Sequence, residues 1–249
     1  MKKQKNNLYR IFGINNVLAV LRSNKFLIHK VIIQKNGLAE KSDIILNLIK
    51  SSDVQLQLIQ KQNFRKIYNG IRSQGVVVEF TGNIISKTLP KFSHKKSMCL
   101  LALDHIKDPQ NLGQIIRTAE CSGINGILLP KHHTAPVTNT VLQVSQGAFV
   151  NMNLYEVINL KQTLSRLKED GFWIIGIEND ISAKHWNEID YTGNIAVVIG
   201  SEGRGVRKKV IESCDFIGTI PMQGNINSLN VSAAVATILF ERLRQIIEK

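Results

Sequence analysis

Cysteine is scarce in this 249-residue chain, and its scarcity removes two classes of protein. Cys99, Cys121 and Cys214 are odd in number, far apart and in no CxxC pair. They offer neither a disulfide framework nor a metal site, and they read as small buried side chains in a reducing compartment. No apolar run approaches the roughly 18 residues of a membrane span. The Lys-rich start, Met1 to Lys5, runs into Leu8-Tyr9-Arg10 without a signal-peptide apolar region, so a cytoplasmic protein with no membrane partner is expected. Internal repeats and low-complexity segments are absent. Acidic residues are scarce at one end only. Residues 1–97 carry 18 Lys+Arg and 4 Asp+Glu, a net of +14, whereas residues 98–249 carry 14 and 15, a net of −1. A basic excess is in the plainest case a solubility device. Its confinement to one region favours a surface for a polyanion, above all nucleic acid.

What is present alternates between helical and strand periods. Ile14, Val17, Leu18 and Leu21 form a helical stripe, Val31-Ile32-Ile33 a short strand, and Ile44, Ile45, Leu48 and Ile49 a second stripe. Val54, Leu56 and Leu58 alternate with Gln55 and Gln57, which predicts a strand with one wet face. Gly75 to Phe80 reads as another strand. Residues 1–80 are thus a small α/β unit, and residues 81–97, with Gly82, Pro90, Ser93, Lys87, Lys91, His94, Lys95 and Lys96, read as a linker. Residues 98–249 follow with strands at Met98–Leu103, Gly126–Leu129, Phe172–Ile177, Ile195–Ile199 and Phe216–Ile220. Helices at Leu160–Leu167 and from about Ser228 to Ile247 imply a mostly parallel sheet with covered faces.

Three stretches lie where strand-like runs end, the position at which open α/β sheets place ligand chemistry. The first is Asn111-Leu112-Gly113-Gln114-Ile115-Ile116-Arg117-Thr118-Ala119. Asp108 and Pro109 are a cap and first-turn pair for its helix, and Gly123 is a left-handed terminator. Gly113 stands four residues before Arg117, leaving space beside the guanidinium for a phosphate or ribose; the alternative is a surface Arg117 paired with Glu120. The second is Ile199-Gly200-Ser201-Glu202-Gly203, a buried strand emptying into a glycine turn, with Glu202 also placed to cap a helix near Val206. It is not GxGxxG and it comes late, which disfavours a Rossmann dinucleotide site. The third is Ile220-Pro221-Met222 followed by Ser228-Leu229-Asn230-Val231-Ser232, whose Ser and Asn are also ordinary helix caps. His105, near the first stretch, receives no role.

Taken in this order over residues 104–240, the three stretches resemble the motifs of the SpoU branch of the SPOUT RNA methyltransferases. Tyr9 to Leu21 and Ser73-Gln74-Gly75-Val76-Val77 resemble the extra N-terminal domain of rRNA-modifying members, itself similar to small RNA-binding proteins of the large ribosomal subunit. The resemblance implies transfer of a methyl group from S-adenosylmethionine to a ribose 2′-hydroxyl of RNA. It implies a deep trefoil knot in the mostly parallel C-terminal domain and a homodimer. The implied substrate is 23S rRNA, at a guanosine. Arg117, Asn111, Glu202, Ser228 and Asn230 fall on the family's catalytic positions, and Gly200, Ile220 and Leu229 on those giving main-chain contacts to the cofactor.

A sulfonium donor leaves as a neutral thioether, so the burden is in-line alignment and loss of the hydroxyl proton. Arg117, with a pKa above about 12, is a poor proton acceptor, so it is expected to clamp a phosphate and stabilise charge on the oxygen, leaving the base open. One departure stands out: Gln146-Gly147-Ala148-Phe149-Val150 carries Val150 where many relatives have Glu. The other readings are tRNA ribose methylation and a non-catalytic RNA-binding ribosome-assembly factor.

Overall fold

The computed structural model describes residues 7–92, 97–180 and 183–248. Met1 to Lys5 and the linker residues Ser93, His94, Lys95 and Lys96 lie outside the described residues. The chain forms two compact units: one runs to Ile84 and regains Val137–Val150, and the other takes Ile85–Pro136 and Asn151 onward.

In the first unit, β1 (Leu8–Phe12), α1 (Ile14–Leu21), β2 (Leu27–Gln34), α2 (Asp43–Ser51), β3 (Gln55–Ile59), α3 (Lys61–Ile67) and β4 (Val76–Thr81) follow in order. The sheet order is β1-β4-β2-β3, with β4 antiparallel to both neighbours and β3 parallel to β2. Gly13, at φ 88°, makes the turn into α1 that a side chain would strain. Ser42 caps α2 by accepting from Ile45 N at 3.5 Å, and Ile45 and Ile49 face inward. The expected dry face of β3 is not dry. Leu56 and Leu58 are 39% and 42% exposed, because β3 is an edge strand paired on one side. Helix α3 escaped the period analysis because it buries only Phe64.

The second unit carries a sheet of order β10-β12-β9-β11-β6-β7-β8-β5, every neighbouring pair parallel. Its strands are β5 (Ile85–Ser86), β6 (Cys99–Asp104), β7 (Gly126–Pro130), β8 (Leu154–Val157), β9 (Trp173–Ile177), β10 (Lys184–His185), β11 (Ile195–Gly200) and β12 (Phe216–Thr219). Its helices are α4 (Pro109–Cys121), α6 (Leu160–Glu169), α7 (Lys208–Ile211) and α8 (Val231–Ile247). The central strands β6 and β11 are buried throughout, as near-continuous apolar runs between covered faces must be. Leu160, Leu164 and Leu167 of α6 pack with Leu100, Ala102, Leu128, Ile174 and Val198. Within the expected linker, Ile85–Ser86 pairs with β8, and Phe92 is buried against Phe172. Cys99 is buried and its thiol is pushed up to about 12 by desolvation. Cys121 is exposed, contrary to expectation, because it ends α4 on the solvent side. Among the described residues no helix is long and apolar enough to cross a membrane.

The returning segment carries α5 (Asn139–Val144) and a 3₁₀ turn, Ala148–Val150. Gln143 ties it to β1: its Oε1 accepts from Phe12 N at 2.8 Å, and its Nε2 donates to Phe12 O at 2.9 Å. Phe149 stacks over Phe80 at 6.1 Å between centroids. Gly147 has φ 93°, and a Cβ there would sit 2.7 Å from Ala19 Cβ. Val150 is buried, while its carbonyl accepts from Lys25 Nζ at 2.8 Å. In this chain the Gly147-Ala148 dipeptide is a packing element, and an apolar Val150 suits its surroundings.

Candidate active site

Strands β12, β9, β11 and β6 are consecutive in the parallel sheet, so their carboxyl ends open on one edge. Each end contributes to the site. Strand β11 finishes at Gly200, where a Cβ would lie 2.0 Å from Gly205 C and 2.2 Å from Val206 N. Only glycine lets the chain double back so tightly. The loop then closes on itself through Gly205 N donating to Ser201 O at 2.8 Å.

Glu178, directly after β9, holds that loop from beside. Its Oε2 accepts from Val206 N at 2.7 Å, and a Cβ on Gly205 would meet Oε1 at 2.2 Å. Glu178 was not among the expected site residues. Its signal was a lone carboxylate following an apolar strand run, which local patterning does not separate from any exposed Glu.

Asp104 ends β6 and is fully buried. It accepts from Arg207 N at 2.9 Å, from Arg207 Nε at 3.0 Å and from Arg207 Nη2 at 2.9 Å. His105 Nδ1 lies 2.9 Å from Asp104 Oδ1. Burial opposes ionisation of Asp104, but the Arg207 and His105 hydrogen bonds outweigh it and hold the carboxyl below its usual range. The His105 backbone is left-handed at φ 66°, and its ring stacks on His133 with centroids 5.2 Å apart.

Helix α4 starts as the sequence implied, with Asp108 accepting from Gln110 N at 2.9 Å and Gly123 at φ 69° after its end. Asn111 Oδ1 accepts from Asn230 Nδ2 at 3.1 Å, joining the first and third stretches. Asn230 is the N-cap of α8, its Oδ1 accepting from Ser232 N at 2.9 Å. Ser232 Oγ lies 2.8 Å from Gln114 Oε1. Helix α8 therefore begins at Val231, three residues later than expected, because Asn230 takes the capping role. Ser228 and Leu229 belong to the preceding loop.

One other expectation is corrected, and two alternatives fall away. Gly113 is buried, because α8 packs along α4, so it does not leave an open face beside Arg117. Arg117 does not pair with Glu120, whose Oε1 accepts from Asn151 Nδ2 at 3.2 Å; Arg117 is exposed and hydrogen-bonds no other described residue. Glu202 caps no helix, since α7 starts at Lys208 after Arg207, and its side chain is exposed.

Two clefts meet here. The first, about 210 Å³, is lined by Gly200, Ile220, Leu229, Ser228, Glu178 and Ala234 among others, and so gathers Gly200, Ile220 and Leu229 in one place. The second, about 310 Å³, is lined by His105, Lys107, Asp108, Asn111 and Arg204. Ser201, Glu202 and Val231 line both. Arg117 lines neither. Among the described residues no cluster of His, Cys, Asp or Glu is arranged to hold a metal ion.

Comparison with known proteins places the chain in a family. The SpoU rRNA Methylase family matches residues 98–240, and a domain described as RNA 2′-O ribose methyltransferase substrate binding matches residues 10–83. YacO of Bacillus subtilis, assigned to the TrmH family of tRNA/rRNA methyltransferases, is 33% identical over 240 residues, covering 94% of this chain and 95% of its own. The fold matches that of the SpoU methyltransferase AviRb from Streptomyces viridochromogenes, solved with AdoMet, at a TM-score of 0.81 and 18% identity over 97% of this chain and 92% of that one. The A. aeolicus TrmH/SpoU tRNA modifying enzyme matches at a TM-score of 0.57 and 29% identity, over 61% of this chain and 77% of that one. The chain belongs to the SpoU rRNA methylase family, and with it to the RNA 2′-O-methyltransferases.

Proposed function

We propose that the protein methylates a ribose 2′-hydroxyl of large-subunit rRNA, at a guanosine, with S-adenosylmethionine held in the first cleft and the acceptor nucleotide in the second. The observation that carries this reading is the meeting of the two clefts at Ser201, Glu202 and Val231. A donor and an acceptor on either side of a shared wall are what methyl transfer requires. The first cleft suits the cofactor, because Gly200, Gly203 and Gly205 line it and bring backbone without side chains beside the space. The cofactor supplies an activated methyl group on a sulfonium. Gly200, Ile220 and Leu229 line its cleft. Asn111 and Asn230 lock α4 to α8, and with them the wall between the clefts.

Arg117 is assigned to the RNA side. Its exposed, unpaired guanidinium suits a phosphate or a developing oxyanion better than proton abstraction, since it stays charged at any working pH. Glu202 and Ser228, with no hydrogen bond to another described residue, are free to meet the ribose or cofactor. A second copy of the chain, bringing its own α4 to the cleft, is part of this reading, as is trefoil threading of the 222–230 loop.

The basic first unit is assigned as the RNA anchor, supported by its charge and by the substrate-binding domain it matches. A tRNA substrate is the second reading. Lys161, Arg207, Lys208 and Lys209 line a further cleft on the catalytic unit, which would serve a relative lacking the first unit.

Mapping ribose methylation in total RNA from cells with and without the protein tests the assignment. Loss of one methylated guanosine in 23S rRNA is expected. Loss at a tRNA position would replace the substrate, and an unchanged map would remove the enzymatic reading.

A further inference from the structure

We propose that His105 is the proton acceptor for the 2′-hydroxyl in methyl transfer, held in the accepting tautomer by Asp104. The inference rests on the reading above and supplies the base that Arg117 cannot be. Three observations carry it. His105 lines the second cleft, which adjoins the cofactor cleft, together with Asn111 and Glu202. Its Nδ1 is 2.9 Å from a carboxylate that is itself fully buried. That carboxylate is also bonded by Arg207, so it remains ionised and acts purely as an acceptor. Nδ1 is therefore the donor to Asp104, which leaves Nε2, hydrogen-bonded by no described residue, as the nitrogen that carries the lone pair of the neutral ring. A carboxylate orienting a histidine through Nδ1 is the arrangement by which an imidazole is poised to accept a proton at Nε2.

The His105 backbone is left-handed at φ 66°, a conformation that both His and Asn adopt more readily than most residues.

In the step, the 2′-O–H bond breaks and its proton passes to Nε2. The oxygen's electron pair forms the bond to the methyl carbon, and the sulfur–methyl bond breaks with its pair remaining on sulfur. The imidazolium then returns its proton to water. Asp104, His133, Arg207, Lys107, Asp108, Arg204 and Glu202 are the charged and titratable groups around this imidazole.

The test compares full-length wild-type protein with H105N. Asn suits the left-handed backbone and can donate to Asp104 in place of Nδ1, but it has no basic nitrogen. Single-turnover methyl transfer is measured across pH on unmodified transcripts of 23S rRNA and on a tRNA pool, with S-adenosylmethionine affinity by calorimetry alongside. H105N is expected to be slower than wild type by about 10²- to 10⁴-fold at neutral pH, to show a different pH profile and to bind cofactor within twofold of wild type. Nitrogen-15 NMR of histidine-labelled protein, the His105 signal being the one absent in H105N, should show the Nδ1–H tautomer. A normal rate and pH profile in H105N, or an Nε2–H tautomer, overturns the base while leaving the methyltransferase reading intact. Cofactor binding without transfer to either RNA by the wild type overturns both.

Discussion

Asn230 Nδ2 donates to Asn111 Oδ1 at 3.1 Å across 119 residues of sequence, while the other end of the same Asn230 amide caps α8. One side chain thus fixes where a helix begins and which helix it meets. The two functions separate by substitution. Asn230→Ala should cost about 1 kcal/mol of stability through the lost cap and should also weaken cofactor binding. Asn230→Ser keeps a good cap but does not reach Asn111, so it should restore most of the stability without restoring turnover. Chemical denaturation and calorimetry on both variants distinguish them; equal turnover in the Ser variant and the wild type would reduce the contact to a structural one.

Arg117→Ala should nearly abolish methyl transfer and leave cofactor affinity close to wild type. Its exposed position predicts a stability change within about 0.5 kcal/mol. Arg117→Lys keeps the charge but loses the planar fork and should also be poor. Near-normal turnover in the Lys variant would count against a clamp and for simple charge stabilisation.

The turn after β11 makes a sharper claim. Gly200→Ala places a methyl 2.0 Å from Gly205 C, so the loop must move and cofactor binding should be lost. Glu178→Ala removes the acceptor of Val206 N and should lower cofactor affinity several-fold with a smaller effect on the RNA-side rate. Glu178→Gln, which still offers a carbonyl oxygen to Val206 N, should recover much of the loss. Calorimetry on the three variants, beside circular dichroism for folding, reads the order.

Asp104 predicts a pH signature. Its folded-state pKa lies below its unfolded one, so its contribution is full above the ordinary carboxylate range and is lost as pH falls through the folded value. Asp104→Ala leaves Arg207 without its buried partner and should destabilise by roughly 3–5 kcal/mol at neutral pH. Half of the Arg207 side chain is exposed, which places the effect at the low end. Urea melts should show the gap between wild type and variant closing below about pH 4.

If the first unit anchors RNA, its exposed cations set the salt dependence. Replacing Lys61, Arg65 and Lys66 of α3 with Gln should reduce the log–log salt slope by roughly 0.7–0.9 for each cation that contacts a phosphate. Replacing Lys208 and Lys209 should leave that slope unchanged on rRNA. The opposite pattern in filter-binding titrations would transfer the anchor to the catalytic unit and favour the tRNA reading.

The sequence showed the alternation of strands and helices because each buries a continuous stripe whose spacing is local. It showed the turn at Gly200 and the cap candidate Asn230 because strand ends and caps demand particular residue types, whereas Asn111, inside α4, stood out only through the family's motif. It did not show Glu178 or the Asp104–Arg207 pair, whose partners lie 28 and 103 residues away and whose side chains look like ordinary surface charges in isolation. The start of α8 was misplaced because Ser228 and Asn230 are equally good caps by type. Only the bond from Asn230 to Ser232 N decides between them.

The return of residues 137–150 to the first unit has a consequence for synthesis. That unit cannot be completed when its own sheet has left the ribosome, since Gln143 and Phe149 are still to be made. Strands β6 and β7 and helix α4 emerge in between. At ordinary elongation rates the delay is ~3–13 s, long compared with the closing of a small domain. Until it ends, Phe80 lacks the Phe149 ring that stacks on it, and the Phe12 amide and carbonyl of β1 lack Gln143. A nascent chain halted after residue 84 should therefore be open to protease, and one halted well beyond residue 150 should be closed.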